Sequence, residues 1–156
     1  MSSLRQKFAK FLEYVVILLI TALAVIVVVG VAFRKAGAAL VWYDEVASIL
    51  LAWLTYYGSC LAALNRAHIG FPRLVQSLPP GLKRYAIIMR EVAVIGFFAV
   101  AGWAGWQVLQ VLHGSYLVSL PGFPRQIAQS VIPIGSVLFI VAELLSLERP
   151  AEGETT

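Results

Sequence analysis

Four long apolar stretches, at about Tyr14–Phe33, Val46–Leu64, Val92–Leu112 and Ile127–Leu145, fill most of this 156-residue chain. Each approaches the ~20 residues that a helix rising 1.5 Å per residue needs to cross a hydrocarbon layer ~30 Å thick. Helices of soluble domains need a polar face toward water, and these stretches have none. Backbone in lipid is satisfied only by helices or closed barrels, and the two-residue alternation of barrel strands is absent. The segments between the stretches are too short to build a water-soluble core. The sequence therefore predicts an all-α, four-helix transmembrane bundle, with spans at about 14–33, 46–64, 86–112 and 127–147. An amphipathic arm, residues 1–13, precedes the membrane domain, and an acidic tail, 148–156, follows it and is expected to be disordered.

Composition agrees with that class: 60% of residues are hydrophobic and 13% charged, against roughly 25% charged in soluble domains. A net charge of +4 could suit nucleic acid, but the cations sit at the ends of apolar runs, where they set orientation. No nucleic-acid partner is expected. Cys60, the single cysteine, lies inside the second span, so no intrachain disulfide can form. The first apolar run is too long for a signal-peptide core and no small-residue cleavage site follows it, which predicts a retained first helix.

The distribution of Lys and Arg gives the topology. The arm (Arg5, Lys7, Lys10), the middle loop (Arg66, Arg73, Lys83, Arg84) and the tail (Arg149) carry eight cations. The other two loops carry three: Arg34, Lys35 and Arg125. The positive-inside rule places both termini and the middle loop in the cytoplasm. The arm alternates basic residues with Leu4, Phe8, Phe11 and Leu12 at helical spacing. This pattern predicts a short amphipathic helix on the anionic leaflet, after which the chain turns inward. Between Pro72 and Gly81 the sequence suggests a short interfacial helix ending in a Pro-Pro-Gly turn. No internal repeat is visible, whereas transporters that carry substrate by themselves are usually built from repeats with broken helices.

The second span carries Glu45, Ser48, Ala52, Thr55, Ser59, Ala62 and Arg66 at alternating spacings of three and four, one face of small or polar residues. In lipid such a face permits close helix–helix approach. Gln126, Gln129, Pro133, Ser136, Ile140 and Glu143 repeat the device in the fourth span. Both stripes are expected to knit the bundle together, a substrate path being the other reading, and Pro133 should kink its helix near the middle. Arg90, Glu91 and Glu143 are the ionisable residues within spans, all near the cytoplasmic boundary. Arg90 and Glu143 share a depth and are expected to pair as an interhelical clamp. A proton-coupled exporter would instead place a carboxylate near the membrane centre. His68 and His113 fall at opposite ends of the spans, ~30 Å apart, and cannot ligate one haem iron. With no metal-ligand set and no Gly-rich phosphate loop, neither a cofactor nor an enzymatic activity is expected. Rival readings are a small homo-oligomeric exporter and the membrane anchor of a redox complex. They lack, respectively, the central carboxylate and paired histidines on one side.

Trp42-Tyr43-Asp44-Glu45 opens the second span, Trp53-Leu54 lies at its middle, and Asn65-Arg66-Ala67-His68-Ile69 closes it, followed by Leu74 and Leu78-Pro79. Gly122-Phe123-Pro124 and Ile132-Pro133-Ile134-Gly135 mark the fourth span. Taken in this order, the motifs resemble the small membrane subunit of TRAP transporters, the DctQ-like family. Many relatives have an acidic residue after the His, where this chain reads Gly70-Phe71-Pro72-Arg73. The resemblance implies a scaffold subunit of a tripartite, sodium-driven importer of organic acids such as C4-dicarboxylates or sialic acid, in a bacterial inner membrane. Its partners would be a large membrane transport subunit, an extracytoplasmic substrate-binding protein and membrane lipid. Trp42, Asp44, Glu45 and Trp53 would then face the large subunit or the binding protein, a plain interfacial anchor being the other reading for the rim residues. Arg66 and His68 would hold the large subunit or a lipid phosphate, or serve as snorkelling anchors.

Overall fold

The computed structural model describes residues 3–65 and 79–147. Its elements are α1 (Ser3–Lys35), α2 (Tyr43–Leu64), α3 (Pro80–Val111), α4 (Arg125–Gln129) and α5 (Val131–Leu147). The chain has four helical segments long and apolar enough to cross a membrane: Arg5–Lys35, Tyr43–Leu64, Arg84–Val111 and Arg125–Ser146. It is a multi-pass membrane protein. The expected middle-loop helix, Arg66, His68 and the tail lie outside the described residues.

The four spans form an open bundle. Extensive interfaces join α1 to α2, α2 to α5, and α3 to α5, so the first and third spans lie at the two edges. The fourth span is the hub, with 39% of its apolar window buried against 6–17% in the others. Glycines create its contacts. An added Cβ at Gly135 would meet Tyr56 at 2.6 Å, and one at Gly105 would meet Ile132 at 2.7 Å. Backbones approach closely there because nothing projects between them. The main core collects at the end bearing both chain termini, where Leu12, Cys60, Ala63, Leu64, Phe139 and Ala142 are buried together. Phe98 of α3 stacks on Phe139, with ring centroids 3.7 Å apart.

The amphipathic arm is helical, as expected, but it is not a separate element. Helix α1 runs unbroken from Ser3 to Lys35, because no Gly or Pro interrupts the sequence before Gly30. Its apolar side packs on the protein rather than lying free on a leaflet: Leu12 is fully buried, and Phe8 and Ala9 rest on the core cluster. Arg5 is buried too, and its Nη2 donates to the carbonyl of Leu64 at 2.8 Å. The cation thereby satisfies an acceptor in the last turn of α2, at the negative end of that helix dipole.

The irregularity expected at Pro133 is a one-residue interruption of the helix at Ser130, and it falls near the start of the fourth span rather than at its middle. Pro133 has no N–H for the carbonyl of Gln129, and its ring crowds that carbonyl. Helix α4 stops at Gln129 and α5 begins at Val131. Ser130 covers the junction, with its N–H and hydroxyl both donating to the carbonyl of Ile127, at 3.4 and 2.8 Å.

Candidate functional site

Residues singled out by sequence gather at the end of the bundle opposite the termini, around the hairpin between α3 and α4. Tyr116 and Pro124 pair in an antiparallel bridge there, closed by Leu117 N–H to Phe123 O (3.0 Å) and Arg125 N–H to Ser115 O (2.9 Å). Glu45, in the first turn of α2, reaches across to this hairpin. Its Oε2 accepts from the Ser119 N–H at 2.9 Å and from the Ser119 hydroxyl, while Oε1 accepts from the Val118 N–H at 3.4 Å. Expected as an interface residue, Glu45 is engaged within its own chain. A hairpin tip has unpaired N–H groups, and an acceptor-only carboxylate is suited to them.

Asp44 points elsewhere, to Arg34 at the end of α1. The Arg34 Nη2–Asp44 Oδ2 separation is 3.6 Å with both side chains mostly exposed. Arg34 also donates to the Tyr43 hydroxyl and lies over that ring, 5.2 Å from its centroid. The Tyr43 ring occupies the space left by Gly30, where a Cβ would sit 2.3 Å from it. Arg34 entered the sequence reading only as a topology cation and Tyr43 only as part of the motif that opens the second span, and Gly30 not at all, although a basic helix end facing an aromatic across a short loop was a signal for their contact. Ser119 had none. Trp42 precedes α2 and is 36% exposed, available to a partner or to the membrane interface.

Trp53 turns inward. Its indole N–H donates to the carbonyl of Ala128 at 3.0 Å, one of the acceptors stranded where α4 ends, and its ring stacks with Tyr57 at 6.1 Å. Within the chain, Trp53 thus braces the second span against the interruption in the fourth.

The two stripes have different fates. On α2, Ser48, Ala52 and Thr55 are exposed. Ser48, Thr55 and Ser59 hydroxyls bond the carbonyls of Asp44, Leu51 and Thr55 on their own helix, at 2.8, 2.8 and 2.7 Å. Ala62 is half-buried. The upper part of this stripe does not knit the bundle, because α1 and the fourth span pack on other faces of α2. In the fourth span, Ser136 is buried against Gly102, with its hydroxyl on the Ile132 carbonyl (2.7 Å). Pro133 fits against Gly105, and Gln129 is half-buried beside α2. A groove of about 440 Å³ runs between the stripes, lined in part by Glu45, Ser48, Ala52, Tyr56, Gln129 and Ile132.

At the terminal end, Arg90 bonds the neighbouring Glu91 rather than the expected Glu143. Adjacent side chains on one helix need no register between helices to meet. Glu91 is largely buried with one carboxylate oxygen unpaired, and Glu143 is buried on α5. No group of three or more His, Cys, Asp or Glu positioned to hold a metal ion occurs among the described residues.

The family model described as "Tripartite ATP-independent periplasmic transporters, DctQ component" matches residues 23–153, which take in the latter part of the first span and the other three. The chain belongs to this family. No curated protein gives a significant match to the chain. DctQ proteins are the small membrane components of TRAP transporters, a transporter family rather than an enzyme family, and they work with a large membrane subunit and a periplasmic binding protein. In this DctQ chain the family-like residues of the second span divide into two groups. Glu45 and Trp53 hold the hairpin and the fourth span within the chain, while Trp42 and the upper stripe remain exposed.

Proposed function

We propose that this chain is the fixed scaffold subunit of a sodium-driven importer of organic acids, C4-dicarboxylates, sialic acid or similar carboxylates, in a bacterial inner membrane. It docks on the large transport subunit while that subunit's transport domain moves. Both termini are cytoplasmic, in keeping with eight cations on that side against three on the other. The observation that carries the reading is the exposed face of Ser48, Ala52 and Thr55. Its hydroxyls are already satisfied on their own helix, so a partner helix can lie close without stranding a polar group. Gln129 flanks the same groove and offers an amide to that helix. Trp42 anchors the outer rim, and Arg66 and His68 contribute to the subunit contact at the cytoplasmic side. The Arg90–Glu91 pair and buried Glu143 serve as structural groups at the cytoplasmic end.

The test is affinity purification of the tagged chain from its native membrane after gentle solubilisation, followed by identification of what accompanies it. A larger multi-span protein at one-to-one stoichiometry, lost from an Ala52→Trp variant, is the expected result. Recovery of this chain only with itself, in a defined oligomer, overturns the scaffold reading.

A further inference from the structure

A second cleft, of about 590 Å³, opens on the bundle surface where the end of α3 meets α4. Its walls change character along the helix axis. His113 and Gln126 form its rim at the membrane boundary, and Leu109 and Ile127 form its apolar middle. Trp106, seven residues back along the helix from His113 and ~10 Å deeper, together with Ser130 completes the inner end. Trp106 and Ile127 are 57% and 48% exposed, so this cleft opens outward rather than into the core.

The rim is built rather than incidental. The Gln126 amide nitrogen donates to the Leu109 carbonyl at 2.9 Å and to Nδ1 of His113 at 3.0 Å. An amide N–H₂ only donates, so Nδ1 is the accepting nitrogen in this contact and Nε2 is the ring nitrogen that carries an N–H. The network therefore fixes a ring whose second nitrogen is a donor, at headgroup depth, above an apolar cleft one side of which faces hydrocarbon. Phosphate is the abundant acceptor at that depth, and an acyl chain is what fills an apolar cleft open to lipid. We infer that this cleft binds one membrane phospholipid, with its phosphate at His113 Nε2 and an acyl chain along Leu109, Ile127 and Trp106. The inference rests on the membrane-spanning fold alone and is independent of the subunit role proposed above.

The full-length chain, purified in detergent, is titrated separately with palmitoyl-oleoyl phosphatidylethanolamine and with palmitoyl-oleoyl glycerol, which lacks the phosphate. Bound lipid is counted by native mass spectrometry. One phosphatidylethanolamine per chain is expected, retained at least tenfold better than the glycerol lipid. Ile127→Trp, which fills the cleft, should abolish retention. His113→Ala should reduce retention to that of the glycerol lipid, and His113→Gln, which keeps an N–H donor, should restore part of it. Circular dichroism establishes that each variant keeps its helices. Equal retention by the wild type and Ile127→Trp overturns the site, and equal retention of the two lipids overturns the phosphate contact. A photo-cross-link from a benzophenone amino acid placed at position 127 to another subunit in native membranes, with lipid absent from the purified complex, would make the cleft a protein contact instead.

Discussion

The Trp53 indole N–H meets the carbonyl of Ala128 at 3.0 Å, across 75 residues of sequence, beside the interruption of the fourth span at Ser130. A helix end inside a membrane leaves carbonyls without water to bond, and the neighbouring span supplies the missing donor. The interruption and its brace are one device, built from an imino acid on one helix and an indole on another.

Trp53→Phe keeps most of the ring and its stacking on Tyr57 but removes the donor. A net hydrogen bond contributes about 1 kcal/mol, and interhelical bonds in bilayers average ~0.6 kcal/mol. The variant should lose about 1 kcal/mol in an unfolding titration with denaturing detergent. Combining it with Pro133→Ala, which lets the helix run on through Ser130 and returns the Ile132 N–H to the Ala128 carbonyl, should reduce that loss. A double-mutant cycle without coupling would disprove the brace.

Glycines divide sharply by what surrounds them. Gly135→Ala drives a Cβ to 2.6 Å from the Tyr56 ring and 2.8 Å from its Cβ. Overpacking of this kind destabilises by about 1–3 kcal/mol. Gly58, also in a helix, has nothing within 4 Å, so Gly58→Ala should gain about 0.5–1 kcal/mol from reduced chain entropy. Thermal stability of the two purified variants should move in opposite directions.

At the hairpin end, Glu45 and its neighbour Asp44 should respond differently to removal. Glu45→Ala strands the Ser119 N–H and hydroxyl and should loosen the 113–124 hairpin by about 1–3 kcal/mol. Asp44→Ala removes an exposed pair with Arg34, which is worth about 0–1 kcal/mol. Limited proteolysis from the hairpin side should cut Glu45→Ala faster at 113–124 and leave Asp44→Ala close to the wild type. Equal cutting in both variants would contradict the assignment.

Arg5→Met keeps a long apolar stem but removes the donor to the Leu64 carbonyl. Hydrogen exchange over residues 3–12 should accelerate, with little change in the middle of α1, because the arm is tied down through Arg5 and Leu12 at the end of α2. Uniform exchange in both proteins would mean the arm is held by its helix alone.

Much of this protein could be read from its sequence. Apolar run length fixed the number of spans, because the bilayer's thickness sets the length of every crossing. The family followed from short motifs placed in order along those spans. Pro133 announced a kink because the loss of its N–H is a covalent fact. Tertiary structure alone decided which faces meet. A stripe of Ser, Ala and Thr permits close approach but does not say to what, and the one on α2 faces outward from its own chain. Glu45 carries the same charge whether it meets a partner or Ser119, and nothing local to residue 45 foretells a hairpin tip more than seventy residues away. Arg90 and Glu143 share a depth, but depth does not fix rotation about a helix axis, and Arg90 bonds Glu91 instead. Hydropathy specifies position along the membrane normal, while the partner at that depth depends on packing among non-local helices.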